Sequence, residues 1–285
     1  MNSLSVPDRN TAVFGLGIMG RAIAKNLAED RLLAATWNRT PQPGFPEFVP
    51  FAEEAACKAG ILLVLVRDDQ AVADVLAQIE PALTGDHIIV QCSTVRPDSN
   101  REFKKRSEGK GVAFVEALIG GSKLAAINRK MIFYTGGDQE VLTRVEPVLS
   151  VLSDKRVHVG AVGMASVAKL AMNLNLAIQV QALCESYAYA KSMGLNDDQY
   201  FTVLRNNTGW NGLCEVKEPK LRNQEFSPEF TVKNMLKDIR LALQTDCTDR
   251  GMALLQKVES IYHEADTAGL GEEDMIALYK QINDI

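Results

Sequence analysis

The sequence predicts an α/β protein in three parts: a doubly wound sheet, one long helix and an all-α C-terminal domain. Three observations lead there. Short β-branched runs alternate with helical patterns as far as Gly160, residues 164–193 contain neither glycine nor proline, and strand signals almost vanish beyond Gly194. The predicted boundaries are 1–163 for the sheet domain, 164–193 for the interdomain helix and 194–285 for the helical domain.

In order along the chain, Thr11-Ala-Val-Phe-Gly-Leu reads as a buried strand that runs into Gly15-Leu16-Gly17-Ile18-Met19-Gly20, and a helical pattern starts at Arg21. This is the strand, tight turn and helix of the Rossmann dinucleotide fold. Gly15 makes the turn, Gly17 lets the backbone approach a pyrophosphate, Gly20 packs helix on strand, and the phosphates sit at the positive helix end. The motif alone is weak evidence; its place between strand and helix is what strengthens it.

The next strand, Leu32–Trp37, is expected to end beside the adenosine ribose, where an NAD-selective site places an acid. Here the chain reads Asn38-Arg39-Thr40. A guanidinium and a hydroxyl suit a 2′-phosphate, so NADPH/NADP is the predicted cofactor. The alternation continues with strands at Ile61–Val66, His87–Gln91, Val112–Val115, Met131–Tyr134 and Arg156–Val159, and helices over Gln70–Ile79, Pro97–Ser107 and Glu140–Leu152. Ligands bind off the carboxyl ends of such strands, which singles out Val66-Arg67-Asp68, Cys92-Ser93-Thr94 and a predicted loop over Glu116–Ala126.

The long helix carries Lys169, the only charged residue between Gly160 and Glu185. A lysine in so apolar a stretch calls for a chemical reason, and Asn173 projects one turn later from the same face. Reduction of a carbonyl develops alkoxide character, which an ammonium stabilises and protonates. After Gly194 the helical patterns cover Asp197–Arg205, Leu213–Arg222, Thr231–Thr248 and a final pair ending at Lys280.

Composition narrows the field. A net charge of -5 without a basic stripe predicts no nucleic-acid partner. The five cysteines, at 57, 92, 184, 214 and 247, show no metal-ligand spacing, so no metal is expected and a reduced, cytoplasmic setting is the simplest reading. The N-terminus lacks an apolar signal core, and no membrane span is expected.

Taken together, the glycine loop with Asn38-Arg39-Thr40, Cys92-Ser93-Thr94-Val95, the run EALIGGSKLAA at 116–126, GAVGMASVAKLAMN at 160–173 and KNMLKDIRLAL at 233–243 resemble the β-hydroxyacid dehydrogenases over nearly the whole chain. The match looks nearest to the NADPH-dependent glyoxylate and succinic semialdehyde reductases. The resemblance implies a small aldehyde or keto acid as substrate, Lys169 as acid/base and Asn173 as its orienting partner. It also implies Thr94 near nicotinamide or substrate, backbone amides of Gly120, Gly121 and Ser122 around a substrate carboxylate, Phe230 beside the substrate, and Lys237 and Asp238 closing the cleft. Phe230 and Asp238 share a face if both are helical. Homodimers or homotetramers through the C-terminal half are a further expectation.

Two departures stand out. Where the family commonly reads Pro-Val-Ser-Gly, this chain reads Leu118-Ile119-Gly120-Gly121, so the hydroxyl expected at 120 is missing unless Ser122 supplies it. Asn128-Arg129-Lys130 replaces the usual acidic-and-glycine turn, which puts the substrate in question. Two enzymatic alternatives remain: 3-hydroxyisobutyrate dehydrogenase or another β-hydroxyacid oxidation, and an imine reductase, against which Lys169 argues. A catalytically silent NADP-binding module is the alternative of another class, and it too is argued against by Lys169.

Overall fold

In the computed structural model, which describes residues 10–245 and 251–283, a seven-stranded sheet has the order β2-β1-β3-β4-β5-β6-β7. The strands are β1 (Thr11–Phe14), β2 (Leu33–Trp37), β3 (Ile61–Val64), β4 (Ile88–Gln91), β5 (Ala113–Gly120), β6 (Met131–Gly136) and β7 (Ser153–His158). Interleaved with them run α1 (Ile18–Glu29), α2 (Ala52–Cys57), α3 (Asp69–Ile79), α4 (Pro97–Glu108), α5 (Lys123–Ile127) and α6 (Gln139–Ser150). β1 to β4 are almost wholly buried runs such as Ile61-Leu62-Leu63-Val64, the signature of parallel strands covered on both faces.

One feature of the sheet departs from the sequence reading. Residues 116–120 are strand rather than loop: β5 pairs parallel with β4 as far as Gln91↔Glu116, then continues antiparallel to β6 from Glu116↔Gly136 to Gly120↔Ile132. The Gly120-Gly121 doublet suggests a loop, but the buried run Val115–Ile119 is claimed by the ladder. Two short helices, α2 and α5, carry too little periodicity to be read from sequence.

The long helix is α7, Met164–Ser192. The chain divides into two compact units inside it, 1–169 and 170–285. By length and composition α7 could cross a membrane, but Ala177, Val180, Leu183, Cys184 and Tyr187 are taken up by the core of the second unit. That unit comprises the rest of α7 with α8 (Asp197–Arg205), α9 (Gly212–Asn223), α10 (Val232–Gln244), α11 (Ala253–Ala265) and α12 (Leu278–Asn283). A π-turn at Asp266–Leu270 and a 3-10 turn at Met275–Ala277 separate the last two helices. The predicted helix over Thr231–Thr248 is shorter, capped by Thr231 and ending at Gln244; positions 246–248 lie outside the described residues. Phe230 therefore precedes the helix, and the shared-face argument linking it to Asp238 does not hold.

Candidate active site and cofactor cradle

The glycine loop connects β1 to α1 as predicted. Gly15 has φ +109°, and a Cβ there would lie 2.0 Å from the Leu65 carbonyl oxygen; at Gly20 it would lie 1.9 Å from the carbonyl oxygen of Gly15. Both positions therefore require glycine. α1 begins at Gly17 without a side-chain cap, and nothing lies within 4 Å of where a Gly17 Cβ would stand. An uncapped helix start beside open space is a fit for a pyrophosphate. Leu16, Met19 and Ile18 complete the turn, with Ile18 39% exposed.

Asn38, expected to touch the cofactor, is already engaged. Its Oδ1 accepts from the Leu16 amide at 2.9 Å and its Nδ2 donates to the Thr40 carbonyl at 2.8 Å. It is a strut that fixes the glycine loop to the following turn, and the side chains of Arg39 and Thr40 are left exposed to solvent. Arg21 braces the same loop, donating from Nε to the Leu16 carbonyl (3.1 Å) while its guanidinium lies 5.6 Å from the Phe45 ring centroid.

The other strand ends are also tied together. Ser93 joins β3 to β4, its hydroxyl accepting from the Val66 amide (2.8 Å) and donating to the Val64 carbonyl (3.2 Å). Val66 and Thr94 are half-buried beside it. Asp68 caps α3 through the Ala71 amide, which gives this part of the turn a structural role.

A buried network that the sequence reading missed lies behind these turns. The Glu116 carboxylate is fully buried: Oε2 accepts from the backbone amides of Gly163 (2.6 Å) and Ala165 (3.3 Å), Oε1 from Asn100 Nδ2 (2.6 Å) and Ser166 Oγ (2.8 Å). Gln91 donates to the Asn100 Oδ1 and to the Ser93 carbonyl, both at 2.9 Å. The network thus runs from the turn carrying Thr94 to the first turn of α7, three residues before Lys169. A carboxylate is well placed at a helix N-terminus, where it meets unpaired amides and the positive end of the dipole. Glu116 interrupts the apolar run Val112–Ile119 much as Lys169 interrupts α7, and that signal was available in the sequence.

Gly120, Gly121 and Ser122 follow as the end of β5 and the start of α5. The Ser122 hydroxyl caps α5 by accepting from the Ala125 amide at 3.4 Å. Gly120 abuts Tyr134, whose hydroxyl would stand 3.2 Å from a Cβ at position 120. The 128–130 turn, read from sequence as a substrate question, has a structural role. Arg129, at φ +59°, pairs with Asp30 and Glu29 and donates to the Asn26 carbonyl at 3.3 Å, and Asn26 Nδ2 in turn donates to Ala126 (2.8 Å). These bonds fasten α5 to the last turn of α1, whose free carbonyls favour a cation. The carboxylates of Asp30 and Glu29 raise the affinity of the Arg129 guanidinium for its proton further.

In the second unit, Asn173 and Asp238 are joined. Asn173 Nδ2 donates to Asp238 Oδ2 at 2.5 Å, and both residues are buried. Lys237 Nζ forms an ion pair with the other carboxylate oxygen at 2.7 Å, outside hydrogen-bond geometry. Asp238 is therefore no solvent-facing residue of an ordinary amphipathic helix. Phe230 is held from behind: Asp274 accepts from the Glu229 and Phe230 amides, at 3.0 and 3.4 Å, and its other oxygen pairs with Lys217 at 2.7 Å in a salt bridge shielded from water. Lys169 itself is half-buried and one turn before Asn173 on α7. Among the described residues no cluster of histidine, cysteine and acidic side chains suits a metal ion.

Comparison with known proteins finds relatives of both parts of the chain. The model of the NAD binding domain of 6-phosphogluconate dehydrogenase matches residues 10–160, and that of the NAD-binding region of NADP-dependent 3-hydroxyisobutyrate dehydrogenase matches 163–282. Glyoxylate/succinic semialdehyde reductase 1 of Arabidopsis thaliana is 27% identical, over 94% of this chain and 96% of its own. A probable 3-hydroxyisobutyrate dehydrogenase of Mycobacterium bovis is 29% identical over 81% of this chain and 83% of its own. Among solved structures, a Mycobacterium tuberculosis 3-hydroxyisobutyrate dehydrogenase with L-serine superposes at a TM-score of 0.86. It is 24% identical and covers 96% of this chain and 99% of its own, a likeness of fold.

Proposed function

This chain belongs to the β-hydroxyacid dehydrogenase family, NAD(P)-dependent oxidoreductases acting on CH–OH groups, and within it we propose an NADPH-dependent reductase of a small aldehyde or keto acid of the glyoxylate or succinic semialdehyde type. The observation that carries the reading is a half-buried lysine, Lys169, on a helix whose first turn is anchored by Glu116 to the network reaching the Thr94 turn.

When bound, the cofactor supplies a hydride to the carbonyl carbon. The glycine loop, Gly15 to Gly20, would hold its pyrophosphate, Arg39 and Thr40 its 2′-phosphate, and Val66, Thr94 and Lys237 its nicotinamide end. As the carbonyl π electrons move onto oxygen, the Lys169 ammonium stabilises the alkoxide and gives it a proton from Nζ, leaving the hydroxy acid and a neutral amine that takes its proton back from water. Asn173, held by Asp238, would orient that exchange, and amides of Gly120, Gly121 and Ser122 would hold the substrate carboxylate, with Phe230 beside it. The absence of an acid at 38–40 supports NADPH, as does the exposure of Arg39. The apolar side chains exposed on the helical half, among them Tyr189, Met193 and Val203, support a homodimer or homotetramer. A cytoplasmic setting is the counterpart of the four free cysteines among the described residues.

The test is NADPH consumption by the purified protein with glyoxylate, succinic semialdehyde and methylmalonate semialdehyde, and NADP reduction with 3-hydroxyisobutyrate, with Lys169→Ala run alongside. One aldehyde acid should be reduced, and Lys169→Ala should bind NADPH normally with kcat lower by at least about 100-fold. A mutant of near-normal kcat would remove Lys169 from the mechanism. Activity with 3-hydroxyisobutyrate alone would replace the proposed substrate class.

A further inference from the structure

Tyr134 carries a chemical group that the proposed mechanism leaves unused. β4 ends at Gln91, opposite Glu116, so residues 117–120 of β5 and 132–135 of β6 project past the carboxyl edge of the parallel sheet, where ligands of such sheets bind. Successive residues of a strand face opposite sides, and directly paired residues share a side. Glu116, Leu118 and Gly120 therefore share one face with their partners Gly136, Tyr134 and Ile132. That is the face α7 meets: Glu116 bonds the amides of Gly163 and Ala165 and the Ser166 hydroxyl, and a Cβ at Gly136 would touch the Ala165 methyl at 3.4 Å. Lys169 follows Ala165 by four residues and Ser166 by three, on the same side of the helix.

On this face the phenol of Tyr134 leans diagonally over Gly120. Its hydroxyl, Cε2 and Cζ would lie 3.2, 3.3 and 3.4 Å from any Cβ there, so glycine at 120 and tyrosine at 134 are one steric arrangement. Tyr134 is half-buried, and no hydrogen bond among the described residues involves its hydroxyl. It thus brings a hydroxyl to the place where the backbone at 120–122 turns away from the sheet, close to the Ser122 hydroxyl, whose oxygen accepts from the Ala125 amide in capping α5.

We infer that Tyr134 is a substrate-binding residue whose hydroxyl donates to the carboxylate of the aldehyde or keto acid, and that Gly120 is the vacancy that admits its ring. The inference rests on the reading of the site as an aldehyde-acid reductase. It adds a specificity determinant: an uncharged aldehyde of equal length has no group for the phenol to bind.

The experiment compares wild type, Tyr134→Phe and Lys169→Ala with glyoxylate and succinic semialdehyde, and with butyraldehyde as an uncharged substrate, alongside the Kd for NADPH by fluorescence. Tyr134→Phe keeps the ring and its packing. It should lower kcat/KM for the acid substrate about 10- to 100-fold, mainly through KM, the usual effect of losing a hydrogen bond to a charged group. Turnover of butyraldehyde and the Kd for NADPH should stay within about twofold. An acid kcat/KM within twofold of wild type, or an equal loss with butyraldehyde, would overturn the role of Tyr134 while Lys169-dependent turnover left the reductase reading standing. A wild type that binds NADPH but reduces none of the acids would overturn both.

Discussion

Replacing Glu116 by glutamine tests whether the buried network anchors α7. The carboxylate accepts four hydrogen bonds, two from backbone amides and two from side chains. A glutamine has one acceptor oxygen. With that oxygen on the amides of Gly163 and Ala165, its NH2 faces Asn100 Nδ2 and the Ser166 hydroxyl. Ser166 Oγ, which already accepts from Asn100 Nδ2 at 2.8 Å, can turn its hydrogen away and accept from the NH2 as well, but Asn100 cannot turn over without losing the bond that its Oδ1 receives from Gln91. One buried donor is then orphaned, at about 1–3 kcal/mol, and the remaining bonds lose their charge assistance, while relief of a buried charge offsets part of the loss. The expected net destabilisation is about 2–4 kcal/mol, or roughly 5–15 °C in Tm at this chain size. Calorimetry of the NADPH-free protein reads it directly, with Ser166→Ala as a milder control of about 1 kcal/mol. A Glu116→Gln protein within 1 kcal/mol of wild type, or one more stable, would refute the anchoring argument, since the desolvation of the carboxylate would then outweigh its bonds.

The remaining predictions follow from other parts of the molecule. Arg39→Asp should weaken NADPH binding by at least about 10-fold relative to NADH in fluorescence titrations, because one guanidinium–phosphate pairing becomes a repulsion; unchanged relative affinities would remove Arg39 from the site. Lys217→Met leaves Asp274 buried without its cation and should cost about 3–5 kcal/mol in urea unfolding; a loss below 1 kcal/mol would mean that the backbone donors to Asp274 suffice. Burial pushes the thiols of Cys92 and Cys184 well above the usual range, so alkylation of the native protein near neutral pH, mapped by mass spectrometry, should label the exposed Cys57 and spare both until unfolding.

What could be read from the sequence was whatever is encoded locally. The glycine loop and Lys169 are legible because each is a pattern within one element: a spacing of glycines between strand and helix, a lone charge on an apolar helix. The Glu116 network has partners 16, 47 and 50 residues apart, so its geometry exists only after β5 and α7 have met. Asn38 was placed in the right turn, but its bonds to Leu16 and Thr40 were not legible, since a side chain that supports a ligand loop and one that touches the ligand occupy the same stretch of chain. The turn at Arg129 looked like a substrate feature because sequence does not display its partners Glu29 and Asp30, 100 and 99 residues upstream. Whether Phe230 belonged to the helix was left as a condition, and Thr231 decides it: its hydroxyl accepts from the Asn234 amide and starts α10 after Phe230.

The extension of β5 beyond the parallel sheet bears on how such a site can change. Most sheet enzymes of this architecture place recognition on loops, where altering a side chain also alters the backbone that carries it. Here Leu118, Gly120, Ile132 and Tyr134 sit on a paired ladder whose spacing is set by main-chain bonds. With Tyr134 in the role inferred above, part of the substrate preference would rest on side chains carried by a fixed frame rather than by a loop. A library varying Ile132 and Tyr134, the two partly exposed positions of that face, would test new acids while the ladder keeps its backbone geometry.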